Sequence, residues 1–303
     1  MRLQKILKLS SPLLTMLICL VVQAQQEDEV VRINTDLVVL NVTVTDGNGK
    51  YVRGLRAADF KIYEDGKEIP VSAISSFGLQ ETPFASVVLL DTSGSMENRL
   101  SLARSAAIRF LDGLREEDVA AVFKFDTRVE QLQDFSSGRD LAPLAYGIRA
   151  YGMTVLNDAI VTAAKALNER PEKRKAIVVL SDGIDTHSGA TASKALEQAM
   201  ALGAGIYTVD MSATDGAASR NSQSAAILKN YAEKSGARFV ATPGGPALRD
   251  AFASIAEELG HQYTIAFRPV NRTRDGKWRN IEVKVAREAV TVRTRKGYKA
   301  PKA

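Results

Sequence analysis

The spacing of apolar residues changes twice along the chain. Up to about Phe77 it alternates. Val38, Leu40, Val42 and Val44 share one face of a β-branched stretch over residues 37–45, which predicts a strand. Asp46-Gly47-Asn48-Gly49 then gives a strong turn signal. Residues 60–63 and 69–77 predict two more short strands around Glu64-Asp65-Gly66-Lys67. No helix-period stretch of useful length occurs in this first zone, residues 30–77.

From Ser86 to about Leu259 the pattern is different. Residues 87–90, 120–123, 176–180 and 205–209 are short and almost continuously apolar, as strands covered on both faces of a parallel sheet are. Between them lie helical repeats. Leu100, Ala103, Ala107, Ile108 and Leu111 mark one, and residues 158–167, 193–202, 225–234 and 246–259 behave similarly. This alternation predicts an α/β fold, a doubly wound, mostly parallel sheet with helices on both faces. A third zone is again strand-like. Residues 263–267 and 281–285 flank Asp275-Gly276, which predicts a hairpin, and residues 290–292 follow. Strand-rich segments at both ends of an α/β core predict an accessory β-domain assembled from the N- and C-terminal strands. The expected division is 1–24, an export leader; 25–80, an N-terminal β segment; 84–260, the α/β domain; and 261–303, a C-terminal β segment packed with 25–80.

The leader reading rests on Arg2, Lys5 and Lys8, then an apolar run over residues 12–22 broken only by Thr15, then Val22-Gln23-Ala24. That run, about 11 residues, is short of the roughly 20 that a spanning helix needs, so cleavage is expected over an uncleaved anchor. A lipid anchor at Cys19 is disfavoured by the bulky Ile18 before it. Cleavage would remove Cys19, the only cysteine, leaving no disulfide and no thiolate metal ligand. It would also lower the net charge from +5 to +2, because the leader holds three basic residues and no acids. The protein is therefore expected to be exported: periplasmic, envelope-associated or extracellular. From Asn271 onward eleven Lys and Arg face only Asp275, Glu282 and Glu288. A solvated strand face is the expected use of that basic tail. Weak contact with anionic polymer or lipid is the alternative, and membrane contact is otherwise limited to an uncleaved leader. Without an aromatic stacking array, nucleic acid is not an expected partner.

In open α/β sheets, ligands bind beyond the carboxyl ends of the strands. After Leu90 comes Asp91-Thr92-Ser93-Gly94-Ser95-Met96, and after Leu180 comes Ser181-Asp182-Gly183. Gly152-Met153-Thr154 precedes the helix expected near Asp158. These short oxygen side chains suit a small hard cation such as Mg²⁺, which takes oxygen ligands in octahedral geometry at about 2.0–2.1 Å. Ser93 and Ser95 alternate on what reads as an extended loop, so both hydroxyls can point at one centre. Asp91 and Asp182 can ligate directly or hold metal-bound water, and Gly94 permits a tight turn.

Asp91-x-Ser93-x-Ser95 closing an apolar strand, then Thr154, then Ser181-Asp182-Gly183, resembles the metal-ion-dependent adhesion site of von Willebrand factor A domains. The resemblance implies that Ser93, Ser95 and Thr154 coordinate the metal directly. It implies that Asp91 and Asp182 act mostly through water, and that one position stays open for an acidic group of a partner. It further implies Mg²⁺, with Mn²⁺ or Ca²⁺ as alternatives, and a protein ligand presenting Asp or Glu to a non-enzymatic adhesion module. Movement of the final helix, residues 246–259, accompanies binding in some members of that family. The flanking Val42-Thr43-Val44-Thr45-Asp46, Gly54-Leu55, Asp59-Phe60, Glu64-Asp65-Gly66-Lys67 and Arg295-Lys296-Gly297-Tyr298 are similar, more loosely, to bacterial exported proteins of the same type.

Each signal alone has a plainer reading. Asp-Thr-Ser-Gly-Ser could be an N-cap and turn cluster, Ser-Asp-Gly an ordinary turn and Thr154 a helix cap. Asp185, Thr186 and His187 suggest a second metal or, more simply, a polar loop rim. Asp126 reads as a site neighbour or a turn residue. Glu97 and Arg99 read as solvated surface beside the loop, His261 as structural, and Trp278 as packed on the accessory domain. Two other functions stay open. One is an exported serine hydrolase using Ser93 or Ser95 with His187 or His261 as base, although no Gly-x-Ser-x-Gly elbow is present. The other is an envelope scaffold in which metal only stabilises the fold. A phosphate-loop enzyme is less expected than either, since no Gly-x4-Gly-Lys-Ser/Thr is present.

Overall fold

The computed structural model describes residues 37–78, 82–137, 147–182, 185–212, 218–241 and 246–302. The leader, Cys19 and Gly183 lie outside the described residues. The central layer is a six-stranded sheet. In spatial order it runs β10 (Phe239–Ala241), β9 (Gly205–Asp210), β8 (Arg174–Ser181), β5 (Phe84–Asp91), β6 (Val119–Phe125) and β7 (Val129–Ser136). All neighbours pair in parallel except β6 and β7. Side chains of β5 alternate between two apolar cores, which is why its sequence is apolar but for Ser86 and the closing Asp91. Val88 and Leu90 pack with helices α1 (Leu100–Asp112) and α5 (Pro246–His261). Ala85, Val87 and Leu89 pack with α2 (Leu156–Asn168), α3 (Ala192–Ala201) and α4 (Ala218–Ser235). This is the doubly wound α/β architecture expected from the sequence. The edge strands β7 and β10 were not expected. The first is polar and partly exposed, and the second is three residues long.

The segments on either side of this layer form two four-stranded sheets, and every strand pairing within them is antiparallel. One has the order β13 (Val290–Arg293), β1 (Val38–Asp46), β11 (Tyr263–Phe267), β4 (Ile74–Gly78). The other has β14 (Gly297–Lys299), β12 (Trp278–Val285), β2 (Phe60–Glu64), β3 (Lys67–Glu68). Leu40, Val42, Phe60, Ile62, Tyr263, Phe267, Ile281 and Val283 share one core between them. The accessory β-region is therefore built from both ends of the chain.

Three local expectations are corrected. Strands β11 and β12 are not a hairpin: β11 lies between β1 and β4, and β12 between β14 and β2. All five residues of β11 are buried, whereas β12 alternates, so the two suit different positions. The stretch 69–77 is not one strand. Pro70, which lacks an amide for a ladder, introduces a 3₁₀ turn at Val71–Ala73 before β4. The basic tail is not wholly solvated: Arg279 and Arg295 are buried, and Arg295 donates to the Met200 carbonyl at 2.6 Å. Trp278 is partly exposed, but its ring covers Gly297, where a Cβ would meet it at 2.5 Å. The turn between β2 and β3 has positive φ at Asp65 (47°) and Gly66 (80°), the pair that a tight hairpin of matching twist requires.

Glu258 joins the accessory sheet to the α/β layer. This buried side chain of α5 accepts from Tyr207 of β9 at 2.8 Å and from Thr43 of β1 at 3.3 Å, and pairs with Arg293 of β13 at 2.5 Å. Gln262 bridges Tyr207 and Thr43, at 2.8 and 3.2 Å. Removing the carboxylate strands these donors. Glu258→Ala is expected to lower the free energy of unfolding by about 2–4 kcal/mol, less than a fully dry pair because Arg293 keeps some solvent. Urea denaturation checks this, and a loss under about 0.5 kcal/mol would place the junction among ordinary surface contacts.

Candidate metal centre

Parallel pairing of β5 with β8, from Phe84↔Arg174 to Leu90↔Leu180, brings their carboxyl ends side by side. Asp91 closes β5 and is fully buried. Its Oδ2 accepts from Ser181 Oγ at 2.5 Å and its Oδ1 from the Ser93 amide at 2.9 Å. Burial pushes the Asp91 carboxyl up to about 7; the bonds from Ser181 and Ser93 oppose that rise, and the charge of Asp182 adds to it. A carboxylate so placed favours the arrival of positive charge.

The candidate metal loop differs from the extended form expected. Ser93 leads into a 3₁₀ helix, Gly94–Arg99, that runs straight into α1, because the Ser93 carbonyl accepts the Met96 amide at 3.0 Å. Ser95 therefore sits in the first turn, and its Oγ lies 3.2 Å from that of Ser93. Adjacent ligands about 2.1 Å from an octahedral ion are about 3.0 Å apart, so this hydroxyl pair fits two neighbouring positions with little movement. Ser93 is buried, Ser95 and Glu97 are exposed, and Arg99 is half-buried.

Thr154, buried two residues before α2, is tied to this loop through its neighbours. The Gly94 amide donates to the Gly152 carbonyl at 3.2 Å, and the Tyr151 amide to the Thr92 carbonyl at 2.8 Å. Thr154 is also braced from the loop after β8. Its amide donates to Thr186 Oγ1 at 2.9 Å, and its carbonyl accepts from the amides of Thr186 and His187 at 2.9 and 3.1 Å. The Asp185 carboxylate accepts from the Asn157 amide at 2.7 Å and Ser188 Oγ at 2.6 Å. That of Asp158 accepts from the amides of Gly189 and Ala190 at 2.9 and 2.8 Å. Asp185, Thr186 and His187 thus secure the first turn of α2 and Thr154, two residues before it. Among the described residues no group of three or more His, Cys, Asp or Glu is placed to hold a metal. A centre at this edge is one of hydroxyls and at most a few carboxylates, which suits a hard divalent ion.

Asp182 is buried beside Asp91, and its position after Ser181 at the end of β8 gives it the same edge. Asp126 is a turn residue that supports the loop: it accepts from Thr92 Oγ1 at 3.2 Å, and its carbonyl accepts the Val155 amide at 3.0 Å. Three supporting residues went unread in the sequence. Thr127 lies under Gly152, which has φ +80° and where a Cβ would meet Thr127 Oγ1 at 2.3 Å. Asp210 and Ser212, at the end of β9, repeat the Asp-x-Ser spacing of Asp91 and Ser93. There the Ser212 hydroxyl closes back on its own aspartate at 2.6 Å. That spacing was the available signal. As for a hydrolase, His261 stacks on Tyr51 and bonds the Glu257 carbonyl at 2.6 Å, in the accessory region.

Comparison with known proteins agrees with this fold. Residues 86–184 match the model of the von Willebrand factor type A domain. No curated protein matches the chain. The vWF domain of the type V pili tip protein Mfa5 from Porphyromonas gingivalis is 15% identical with a TM-score of 0.50, over 58% of this chain and 95% of that one. A von Willebrand factor type A protein from Catenulispora acidiphila is 12% identical with a TM-score of 0.50, over 88% of this chain and 74% of that one. The PilB minor pilin from Streptococcus sanguinis is 14% identical with a TM-score of 0.47, over 59% of this chain, which spans 62% of the pilin. The chain thus has an α/β fold of the von Willebrand factor A kind with an accessory β-region.

The state of Asp91 has a measurable consequence. Its folded-state pKa, about 7, lies above the ordinary carboxylate value of 3.8. Without metal, its neutral form therefore stabilises the fold fully below about pH 4, and this contribution is lost as pH rises through 7. In chelator, stability is expected to fall by about 2–3 kcal/mol between pH 5 and pH 7.5, and Asp91→Asn should flatten that slope. Urea denaturation at the two pH values reads it. An unchanged slope in the variant would assign the pH dependence to other groups.

Proposed function

We propose that this protein is an exported, non-enzymatic binding module that holds a divalent cation at the carboxyl edge of its central sheet and captures an Asp or Glu of a protein partner. Mg²⁺ is the first choice, with Mn²⁺ or Ca²⁺ as alternatives. Ser93, Ser95 and Thr154 would hold the ion, with Asp91 and Asp182 behind them. The observation that carries this reading is the pair of hydroxyls, 3.2 Å apart, on the loop that follows the buried carboxylate of Asp91. When bound, the ion supplies positive charge that neutral hydroxyl ligands leave largely uncompensated and that attracts a carboxylate. Ser181 orients Asp91, and the brace from Thr186 and Asp185 keeps Thr154 at the mouth of α2. Export is supported by the charge and apolar pattern of residues 1–24. No helix among the described residues is long and apolar enough to cross a membrane.

Burial of Asp91 also supports a narrower reading in which the metal only stabilises the fold. One experiment separates the two. The protein is immobilised, exposed to envelope extract of the producing cell in Mg²⁺ or in chelator, and its thermal stability is measured under both conditions. Capture of a partner that chelator and Ser93→Ala both abolish supports the binding module. Capture unaffected by chelator, with lowered thermal stability, assigns the metal to stability alone. Asp182→Asn is expected to weaken Mg²⁺ affinity by about 10–100-fold without unfolding the protein, as loss of a water-holding carboxylate does. Calorimetry tests it, and an unchanged affinity would remove Asp182 from the centre.

A further inference from the structure

Large apolar side chains are left exposed at few places among the described residues. In the α/β domain there are two, Tyr151 at 78% and Met153 at 51% exposure. Both lie within three residues of Thr154, on the segment that bonds the metal loop. Their position is built rather than loose, since the backbone is held at each of the three residues. The Tyr151 amide donates to Thr92, the Gly152 carbonyl accepts from Gly94, and the Met153 amide donates to Thr127 Oγ1 at 3.3 Å. Gly152 keeps φ +80° with Thr127 packed where a Cβ would stand. An aromatic ring and a thioether are thus fixed outward beside the candidate cation position.

Tyr and Met are side chains that interfaces favour: a rigid amphipathic ring and an adaptable apolar chain. Apolar surface around a charged contact excludes water from it and strengthens it. Charge points the same way. Arg149 is exposed two residues before Tyr151, while Glu97 is exposed on the turn that carries Ser95 and opposes a second acid. We infer that Tyr151 and Met153 form an apolar rim of the metal centre that selects a partner segment in which a single Asp or Glu is flanked by large apolar residues. The inference rests on the carboxylate-capture reading and adds the chemistry of the neighbouring partner residues.

A display library of short peptides with a fixed central Asp and random neighbours tests both, selected on the immobilised full protein in Mg²⁺ or chelator. For the wild type, Mg²⁺-dependent selection should enrich Leu, Ile, Phe, Met, Tyr or Trp beside the Asp by about tenfold, the equivalent of one good apolar contact. The double variant Tyr151→Ser, Met153→Ser should bind Mg²⁺ as the wild type does by calorimetry and still select Asp peptides over Asn controls, without that enrichment. Mg²⁺-dependent selection of Asp peptides with polar or acidic neighbours overturns the rim and leaves carboxylate capture standing. So does apolar enrichment that survives in the double variant. If a wild type that binds Mg²⁺ selects no Asp peptide at all, the capture reading fails and the rim fails with it.

Discussion

A carboxylate buried at the end of a parallel strand, held by the Ser181 hydroxyl and the Ser93 amide beside a second acid, is the constraint around which this domain is organised. Asp91 cannot be charged there cheaply, and its carboxyl is displaced to about 7 by burial. Ser181 must stand beside it, so β8 must end level with β5. The Ser93 amide must turn back to it, which starts the 3₁₀ helix and sets Ser93 and Ser95 side by side. The same turn exposes the Gly94 amide to Gly152 and so draws in the segment bearing Thr154. One electrostatic problem thereby aligns three chain segments that lie far apart in sequence.

A second polar cluster serves the accessory region. Glu258 sits near the end of α5, between the sheet that carries the site and the strands contributed by both ends of the chain. α5 also packs on α1, the helix that continues from the candidate metal loop, through Phe110 and Phe252 at 6.5 Å between ring centres. The site and the accessory region are therefore connected through packed helices, with Glu258 fixing the far end of α5 by hydrogen bonds and an ion pair. Any movement of α5 must break or carry that junction.

The layer order of the α/β domain was legible because strands covered on both faces are apolar runs, and helices covered on one face are periodic. The candidate ligands were legible for a related reason: sheet topology puts functional oxygen atoms directly after such runs, so Asp91, Ser93, Ser95 and Asp182 sit next to recognisable strands. β7 was not legible, since Glu130, Gln131, Gln133 and Asp134 suit an edge and disguise its period. The Asp275-Gly276 turn signal was genuine, with Gly276 at φ +68°, but it precedes β12 against the chain's end and does not join β12 to β11. The brace on α2 and the seat of Gly152 on Thr127 depend on contacts between segments far apart in sequence, Met153 to Thr127 at a separation of 26 residues and Thr154 to Thr186 at 32. Local pattern holds no record of such contacts.

Calorimetric titration of Mg²⁺ into the metal-free protein, beside Asp91→Asn and Ser93→Ala, tests the central claim most directly. Saturable binding by the wild type, weakened by about tenfold or more in both folded variants, is the predicted result. A folded wild type that takes up none of Mg²⁺, Mn²⁺ or Ca²⁺, or variants that bind as tightly as it does, would contradict a metal centre at the carboxyl edge of β5 and β8.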